Sequence, residues 1–354
     1  MPPGTSRRTG AKNDSAPPDP VEAMCTAGPS CGRPGSASPT ESPRSPAGRR
    51  PATFPFNRHT LARDHPTTRR LESCGGSGLR VSFLGTSSML IRDHTTSVMI
   101  DGFVSRPPLR RVLLRRVSPD RDKVTSALRR LGVERLDAVL CAHSHMDHAL
   151  DAPLVAELTE AQLVGSASTA NVGRGWGLPE ERLDVVGDGD ARRFGGLDCE
   201  FVQVPHTPAD PVPGTIDAPL VPPARFTAWQ MGGDHAFLLT HEAGAILVNA
   251  STNFVPGKLA DRHADVVYLG IATLGRQPQR FRRDYWDHVV VATDARRVIP
   301  VHWDDMRTSL DKPLPRAADD LDTSLRFLAA RGRADGVEVL LPHAWGATNP
   351  FEGL

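Results

Sequence analysis

The segment C-A-H-S-H-M-D-H-A-L-D, residues 141–151, gathers three histidines and one aspartate within six positions. His143 and His145 are two residues apart and can converge on one divalent ion. Asp147 and His148 can then face a second ion about 3.5–4 Å from the first. Neutral imidazoles combined with a carboxylate favour zinc, with Mn²⁺ or iron as other occupants. A single histidine here would be an ordinary surface or capping residue, but this density of groups predicts a metal centre for one or two ions.

Two distant histidines complete the pattern. His206 follows a strand-like run at 198–204, and His302 lies near the end of the strand-like run at 296–303. Strands of this kind deliver the residues that follow them to one edge of a sheet. Either histidine alone could be an ordinary surface or core residue. Together with the 143–148 cluster they predict two sites of three ligands each.

The elements that must position these groups come first as a run of strands and then as strands alternating with helices. Such an order predicts an α+β fold in which sheets are covered by helices. The first three strands are close enough in sequence to be antiparallel neighbours. Alternating or continuous apolar patterns predict strands at 79–85, 87–93, 96–102, 136–145, 161–168, 198–204, 264–272, 296–303 and 337–341, a hairpin at 236–250, and helices at 120–131, 283–294 and 319–331.

Residues 1–76 differ in composition from the rest of the chain. They hold 13 of the 32 prolines, with abundant Ser, Gly, Arg and Ala and almost no periodic apolar pattern. Such a segment cannot bury enough surface to offset its ordering entropy. We therefore expect a disordered Pro/Ser/Arg-rich tail at 1–76 and a folded domain at 77–354. A start codon further downstream is the alternative explanation of the tail.

Bulk composition excludes several classes of protein. The 42 Lys and Arg residues nearly balance 41 Asp and Glu residues, so no nucleic-acid partner is expected. The five cysteines form no C-x-x-C pair, and no apolar run reaches the length of a transmembrane segment. We expect a cytoplasmic protein that acts on a small molecule. Composition does not predict the oligomeric state.

The H-x-H-x-D-H motif after a buried strand, followed by His206 and His302, resembles the metallo-β-lactamase superfamily. The resemblance runs from about Leu79 to about Trp345. F-L-G-T-S-S-M-L-I at 83–91 and V-M-I-D-G at 98–102, where a strand ends in Asp101, are similar to the opening strands of that family. H-A-D-V-V-Y-L-G-I and V-I-P-V-H-W-D-D are similar to its closing segments. Residues 203–223 and 249–257 are most similar to its L-ascorbate-6-phosphate lactonase-like and N-acylphosphatidylethanolamine phospholipase D-like branch.

The resemblance implies an αββα sandwich with the site at one edge. It assigns one metal to His143, His145 and His206, and a second metal to Asp147, His148 and His302. The implied function is a zinc-dependent hydrolase whose metal-activated hydroxide attacks an ester, lactone or phosphodiester, with Asp147 and His302 as catalytic residues. The alternative is a non-catalytic metal- or ligand-binding protein on the same fold.

One position departs from the family pattern. Ser251 stands where the family usually has a bridging aspartate, and nearby Asn249 is not anionic either. Three outcomes are open: a single tightly held ion, a pair bridged by water or hydroxide, or a substitute carboxylate. Asp304 and Asp305 are candidates for the substitute, and the alternative for both is a solvated turn or helix cap.

Substrate contacts are predicted from the proline-rich segment 207–234, which begins directly after His206 and could wall a pocket. Arg225, Phe226 and Trp229 could contact the substrate, with Arg225 binding an anionic group, or the segment could be an ordinary covering loop. Trp303 could line the pocket or pack in the core. Residues 168–179, with several glycines and an arginine, could form a phosphate-facing loop.

Overall fold

The computed structural model describes residues 78–312 and 320–354, together with the backbone of a two-residue strand, β1 (Arg69–Arg70). These described residues all fall within one compact unit, Pro55–Leu354. The rest of the segment predicted as a disordered tail lies outside the described residues. The domain boundary at residues 76 and 77 therefore stays a prediction.

The first sheet contains most strands of the amino-terminal half. Within the described residues its order is β15-β2-β3-β4-β5-β6-β7. The strands β2, β3 and β4 are antiparallel neighbours, as their spacing in the sequence predicts, and β4 to β7 are parallel. Its strands are β2 (Arg80–Gly85), β3 (Ser88–Arg92), β4 (Ser97–Ile100), β5 (Ala138–Leu140), β6 (Gln162–Gly165), β7 (Leu183–Val185) and β15 (Ala347–Thr348).

The second sheet has the order β1-β14-β13-β12-β11-β10-β9-β8 within the described residues. An antiparallel meander, β8 to β11, continues into the parallel strands β12, β13 and β14. Its remaining strands are β8 (Ala191–Phe194), β9 (Leu197–Val204), β10 (Asp234–His241), β11 (Gly244–Asn249), β12 (Val266–Gly270), β13 (Arg297–Val301) and β14 (Glu338–Leu341).

The longer helices begin and end at residues suited to those positions. Asp120 accepts a hydrogen bond from the backbone of Lys123 at the start of α2, and Gly132 ends that helix in the left-handed conformation. Ser166 and Asp320 cap α5 and α7 in the same way. The helices are α1 (Leu109–Leu114), α2 (Arg121–Leu131), α3 (Met146–Ala149), α4 (Ala152–Thr159), α5 (Ala167–Trp176), α6 (Gln279–Trp286) and α7 (Leu321–Asp335).

One apolar core joins the two sheets. Met89 and Ile91 of the first sheet belong to the same buried cluster as Phe201, Phe237 and Leu247 of the second. The helices α4 and α5 pack on the first sheet, and α7 packs on the second. This arrangement confirms the αββα sandwich. No helix in residues 78–312 and 320–354 is long and apolar enough to cross a membrane.

Some predicted elements differ from the structure. The segment 168–179 is not a phosphate-facing loop, because most of it belongs to α5. The helix predicted at 283–294 begins earlier, at Gln279, and continues into one π-helical turn, Asp287–Val291. The helix α1 had no counterpart in the sequence prediction.

The candidate ligands all follow the carboxyl ends of strands. The segment with His143 leaves β5, His206 follows β9, and His302 follows β13 directly. The strand β10 starts with Asp234, which pairs in register with Val204 at the end of β9. The alternation of strands and helices therefore brings these side chains to one edge of the sandwich.

Candidate metal centre

The turn after β5 is a rigid scaffold for four candidate ligands. His145 immediately precedes the short helix α3, which contains Asp147 and His148. The backbone N–H of His148 donates a hydrogen bond to the carbonyl of His145 at 3.0 Å. The backbone N–H of Ser144 donates to the carbonyl of Met231 at 2.9 Å. These bonds fix the turn against the loop before β10, so its side chains have a defined direction.

The first triad consists of His143, His145 and His206. Nε2 of His143 lies 3.1 Å from Nδ1 of His145. The ring of His206 lies edge-on to both, with centroids 4.8 Å from His143 and 4.6 Å from His145. One nitrogen from each ring can therefore reach a common ion.

The second triad consists of Asp147, His148 and His302. Nε2 of His302 lies 3.2 Å from Oδ2 of Asp147 and 3.3 Å from Nε2 of His148. Nε2 of His148 lies 3.6 Å from the same carboxylate oxygen. The ring centroids of His143 and His148 lie 3.8 Å apart, with the rings tilted by 41°, so the two triads are direct neighbours. The structure thus brings together all six residues that the sequence suggested.

Three carboxylates stand behind the histidines. Oδ1 of Asp234 lies 3.3 Å from Nδ1 of His143, and Oδ1 of Asp210 lies 3.1 Å from Nε2 of His145. Carboxylates in this position fix the ring orientation and tautomer of metal-binding histidines. Sequence reasoning missed both residues, although Asp210 is four residues after His206 and Asp234 lies two residues before the start of the predicted hairpin.

Asp101 is the third of these carboxylates. Its Oδ2 lies 2.8 Å from Nδ1 of His148 and accepts a hydrogen bond from the Ser87 hydroxyl at 2.5 Å. Its Oδ1 accepts from the backbone of Ala142 at 2.9 Å, which ties the end of β4 to the turn after β5. Sequence reasoning noted this aspartate only as the end of a strand.

His302 is held mainly through its backbone. Its N–H donates to the carbonyl of Thr86 at 2.6 Å, and its φ of 57° lies in the left-handed region. Asp304 accepts from the backbone of Thr86 at 2.7 Å and from Nη1 of Arg106 at 2.6 Å. Gly85 leaves room for this ion pair, because a Cβ there would lie 2.1 Å from Nη2 of Arg106.

These contacts correct the expectation for Asp304 and agree with the turn predicted as the alternative for Asp305. Asp304 is neither a solvated turn residue nor a substitute bridge, because both of its oxygens are engaged in the buried pair with Arg106 and Thr86. Asp305 belongs to a turn, where it accepts from Nε of Arg307 at 2.6 Å.

Charge is distributed unevenly over the centre. Burial lowers the pKa of His148, but Asp101 and Asp147 overcome this and raise it to about 9. Burial together with neighbouring imidazoles holds the pKa of His143 well below its ordinary value. Burial opposes ionisation of Asp147, but His148 and His302 hold its pKa well below the usual range. The second triad therefore combines a cationic imidazole with an anionic carboxylate.

The donor set fits a divalent metal. Five imidazoles and one carboxylate match the ligands that zinc and related ions prefer. Nδ1 of His206 is buried without a hydrogen-bond partner among the described residues. Buried polar atoms are rarely left in this way, and a nearby cation would compensate for them.

Ser251 is buried beside this cluster. It follows β11, and its carbonyl accepts from the side chains of Asn249 and Tyr285. Burial raises the pKa of Asp234 to about 6, and Ser251 and His206 oppose this increase. Asp234 is therefore a buried carboxylate beside Ser251, and the sequence analysis did not consider it.

A cavity of about 430 Å³ opens onto the two triads. Apolar side chains, including those of Val112, Phe226 and Trp229, form much of its wall. His145, Asp147 and His302 are the candidate ligands that it exposes. Trp229 is buried, and its indole N–H has no acceptor among the described residues.

Two of the proposed substrate contacts lie elsewhere. Arg225 is exposed and does not line this cavity, because the chain turns its neighbour Phe226 inward instead. Trp303 is a core residue. Its ring lies 6.2 Å from that of Phe83, and its N–H donates to the carbonyl of Pro300 at 3.1 Å.

Residues 81–214 match the family model described as the metallo-beta-lactamase superfamily. This match confirms the resemblance found in the sequence. The matched range includes the H-x-H-x-D-H motif and His206. No curated protein matches the chain in sequence. The assignment to a particular branch stays a prediction.

Solved structures of similar fold are distant in sequence. The metallo hydrolase Igni18 of Ignicoccus hospitalis is 15% identical, with a TM-score of 0.47, over 78% of this chain and 99% of that one. An isothiocyanate hydrolase from Delia radicum gut bacteria is 14% identical, with a TM-score of 0.47, over 76% and 98%. The diiron β-hydroxylase CmlA of Streptomyces venezuelae is 14% identical, with a TM-score of 0.48, over 77% and 54%.

Proposed function

We propose that the protein is a metal-dependent hydrolase, with zinc as its ion, acting on an ester or lactone that carries an apolar group. The observation that carries this proposal is the position of two ligand triads at the base of a mostly apolar cavity. We further propose that the first triad holds one ion and the second triad holds another.

A divalent ion bound there would lower the pKa of water to about 7 and polarise the substrate oxygen. The protein contributes the geometry around this chemistry. Asp147 lines the cavity and is ionised at neutral pH, so its carboxylate can orient an attacking water and accept a proton from it. The ring of Trp229 forms part of the apolar wall against which a substrate group can pack.

The cavity wall favours a neutral substrate over a phosphodiester. Its cationic side chains are Arg276 and Arg307, and Arg307 is already paired with Asp305. The carboxylate of Asp147 also borders the cavity. An anionic diester would meet little net positive charge from the protein there, whereas an apolar acyl or ring group would be desolvated by the wall. A cytoplasmic location stays a prediction.

The test compares metal content and turnover in the purified full chain. The substrates are p-nitrophenyl butyrate, a simple lactone and bis-p-nitrophenyl phosphate. His145→Ala should lose more than about a hundredfold in ester turnover, because removing outer partners of metal ligands alone costs about 10–100-fold. The matched control is His94→Ala, at an exposed histidine between β3 and β4, which should behave as wild type.

Each outcome has a defined meaning. Zinc-dependent ester or lactone turnover that disappears in His145→Ala supports the proposal. If the phosphodiester were turned over faster than the ester and the lactone, the proposed substrate class would be wrong, but the protein would still be a hydrolase. Bound metal without turnover of any of the three substrates would favour the alternative of a non-catalytic metal- or ligand-binding protein.

A further inference from the structure

The segment P-L-R-R-V-L-L-R-R, residues 108–116, is an exposed basic and apolar surface at the mouth of the cavity. We propose that it docks the protein onto an anionic lipid surface. Its helix α1 exposes Leu109, Leu113 and Leu114 to 43%, 55% and 79%. Within residues 78–312 and 320–354 the exposed leucines all belong to this one helix.

The exposure of α1 does not result from a frayed chain. Arg106, two residues before Pro108, is buried and forms the ion pair with Asp304. After the helix, Val117 pairs as a β-bridge with Ala224 through two backbone hydrogen bonds. Val112 is the one buried residue of the helix. The segment is fixed at both ends, so its leucines are held in solvent by the surrounding fold.

The charge of the segment complements an anionic surface. Arg110, Arg111, Arg115 and Arg116 are exposed, and no acidic residue interrupts them. None of the ion pairs within the described part of the chain involves these four side chains. Each arginine near an anionic membrane strengthens binding by roughly fivefold. Exposed leucines between arginines are the pattern of segments that lie in a lipid interface.

A nucleic acid is a poorer partner for this surface. Binding sites for single-stranded nucleic acids combine basic groups with aromatic side chains on which the bases stack. Residues 108–116 contain no aromatic residue. A leucine as exposed as Leu114 contributes nothing to phosphate binding, but its transfer into a lipid interface is favourable.

The docking surface continues into the cavity. Leu109, Val112 and Leu113 line the cavity together with Asp147 and His302 of the second triad. Docking through α1 would therefore bring the mouth of the cavity to the lipid surface. This proposal concerns binding and does not depend on turnover of any substrate.

The test measures flotation of the purified full chain with vesicles of phosphatidylcholine alone or mixed with phosphatidylglycerol. We expect binding to the anionic vesicles that is at least roughly tenfold stronger than to neutral ones and that weakens as salt is added. Arg115→Glu should reduce this binding at least roughly fivefold, and Leu114→Ser should reduce it severalfold. The matched controls are Arg129→Glu on α2 and Val291→Ser on the π-helical turn, both at exposed positions.

Several results would overturn the proposal. These are equal binding to neutral and anionic vesicles, no difference between the α1 variants and their controls, or tighter binding to a single-stranded oligonucleotide than to vesicles at the same salt. Circular dichroism and metal content should stay unchanged in Leu114→Ser and Arg115→Glu. Turnover of a water-soluble ester should also stay unchanged, so failure of docking is distinguishable from failure of the hydrolase proposal.

Discussion

The two triads differ in what holds their side chains. The first triad is entirely imidazole, and two of its rings face carboxylates on their far side, Asp234 behind His143 and Asp210 behind His145. Asp210 lies in the segment between β9 and β10, and Asp234 is the first residue of β10. The first triad is therefore oriented by side chains that reach the rings from behind.

The second triad contains its own carboxylate, Asp147. One of its histidines, His148, also has an aspartate behind it, but His302 is positioned by its backbone. That backbone depends on the buried pair between Arg106 and Asp304. The orientation of the ligands in the second triad therefore depends on the surrounding fold. The orientation of the ligands in the first triad depends on individual carboxylate side chains behind the rings.

The largest expected effect comes from the buried pair. Asp304→Asn leaves the Arg106 guanidinium buried without its counter-charge, and breaking such a pair costs about 3–5 kcal/mol. Chemical denaturation should show this loss, and metal analysis should show an ion missing from the second triad. The control is Glu160→Gln, which removes the exposed pair with Arg135 and should cost at most about 1 kcal/mol. Equal stability of the two variants would contradict this role of Asp304.

The outer carboxylates allow the triads to be weakened separately. Asp234→Asn should weaken metal binding at the first triad about 10–100-fold, and Asp101→Asn should weaken it at the second by a similar factor. Titration against a competing chelator measures both sites in each variant. Each variant is the control for the other. If either change weakened both sites equally, the triads would not be independently supported.

A smaller effect is expected from pH. In the metal-free protein the pKa of His148 is about 9, because Asp101 and Asp147 overcome the effect of burial. An ion entering the second triad must displace that proton, so its affinity should increase about tenfold per pH unit below this pKa. The first triad should depend less on pH near neutrality, because the pKa of His143 is lowered. Chelator competition at several pH values tests this difference, and identical slopes would contradict it.

The same raised pKa has a consequence for the stability of the metal-free protein. Folding raises the pKa of His148 from 6.5 to about 9, so the folded state binds its proton more tightly than the unfolded state. This contribution to stability is fully present below pH 6.5 and is lost as the pH rises through about 9.

Local sequence patterns were sufficient for most strands and for α2, where apolar spacing, an N-terminal aspartate and a final glycine agree. They failed for α5, whose glycines suggested a loop. A Cβ on Gly175 would lie 2.0 Å from the carbonyl oxygen of Leu220, so this glycine allows close packing inside a helix. The tertiary contact that explains the glycine is not visible in the sequence around it.

The candidate site shows the same limit. The six ligand positions were predictable because four lie in one short motif and two follow recognisable strands. The role of Asp304 was not predictable, because its partner Arg106 is 198 positions away. Asp210 and Asp234 were missed for a related reason: an aspartate behind a histidine is defined by the packing of loops rather than by spacing.

The smallest expected effect concerns Ser251. Removing its hydroxyl takes away a group that holds down the pKa of Asp234, so in Ser251→Ala more of this carboxyl is protonated near neutrality. A lost hydrogen bond of about 1 kcal/mol corresponds to roughly fivefold weaker metal binding at the first triad. The effect should disappear at higher pH, where Asp234 is ionised in both proteins. The control is Thr252→Val, whose hydroxyl donates to the carbonyl of Gly270 instead. A loss far above a hundredfold that persists at all pH values would mean that Ser251 itself contacts the ions, and the division between the two triads would then have to be redrawn around it.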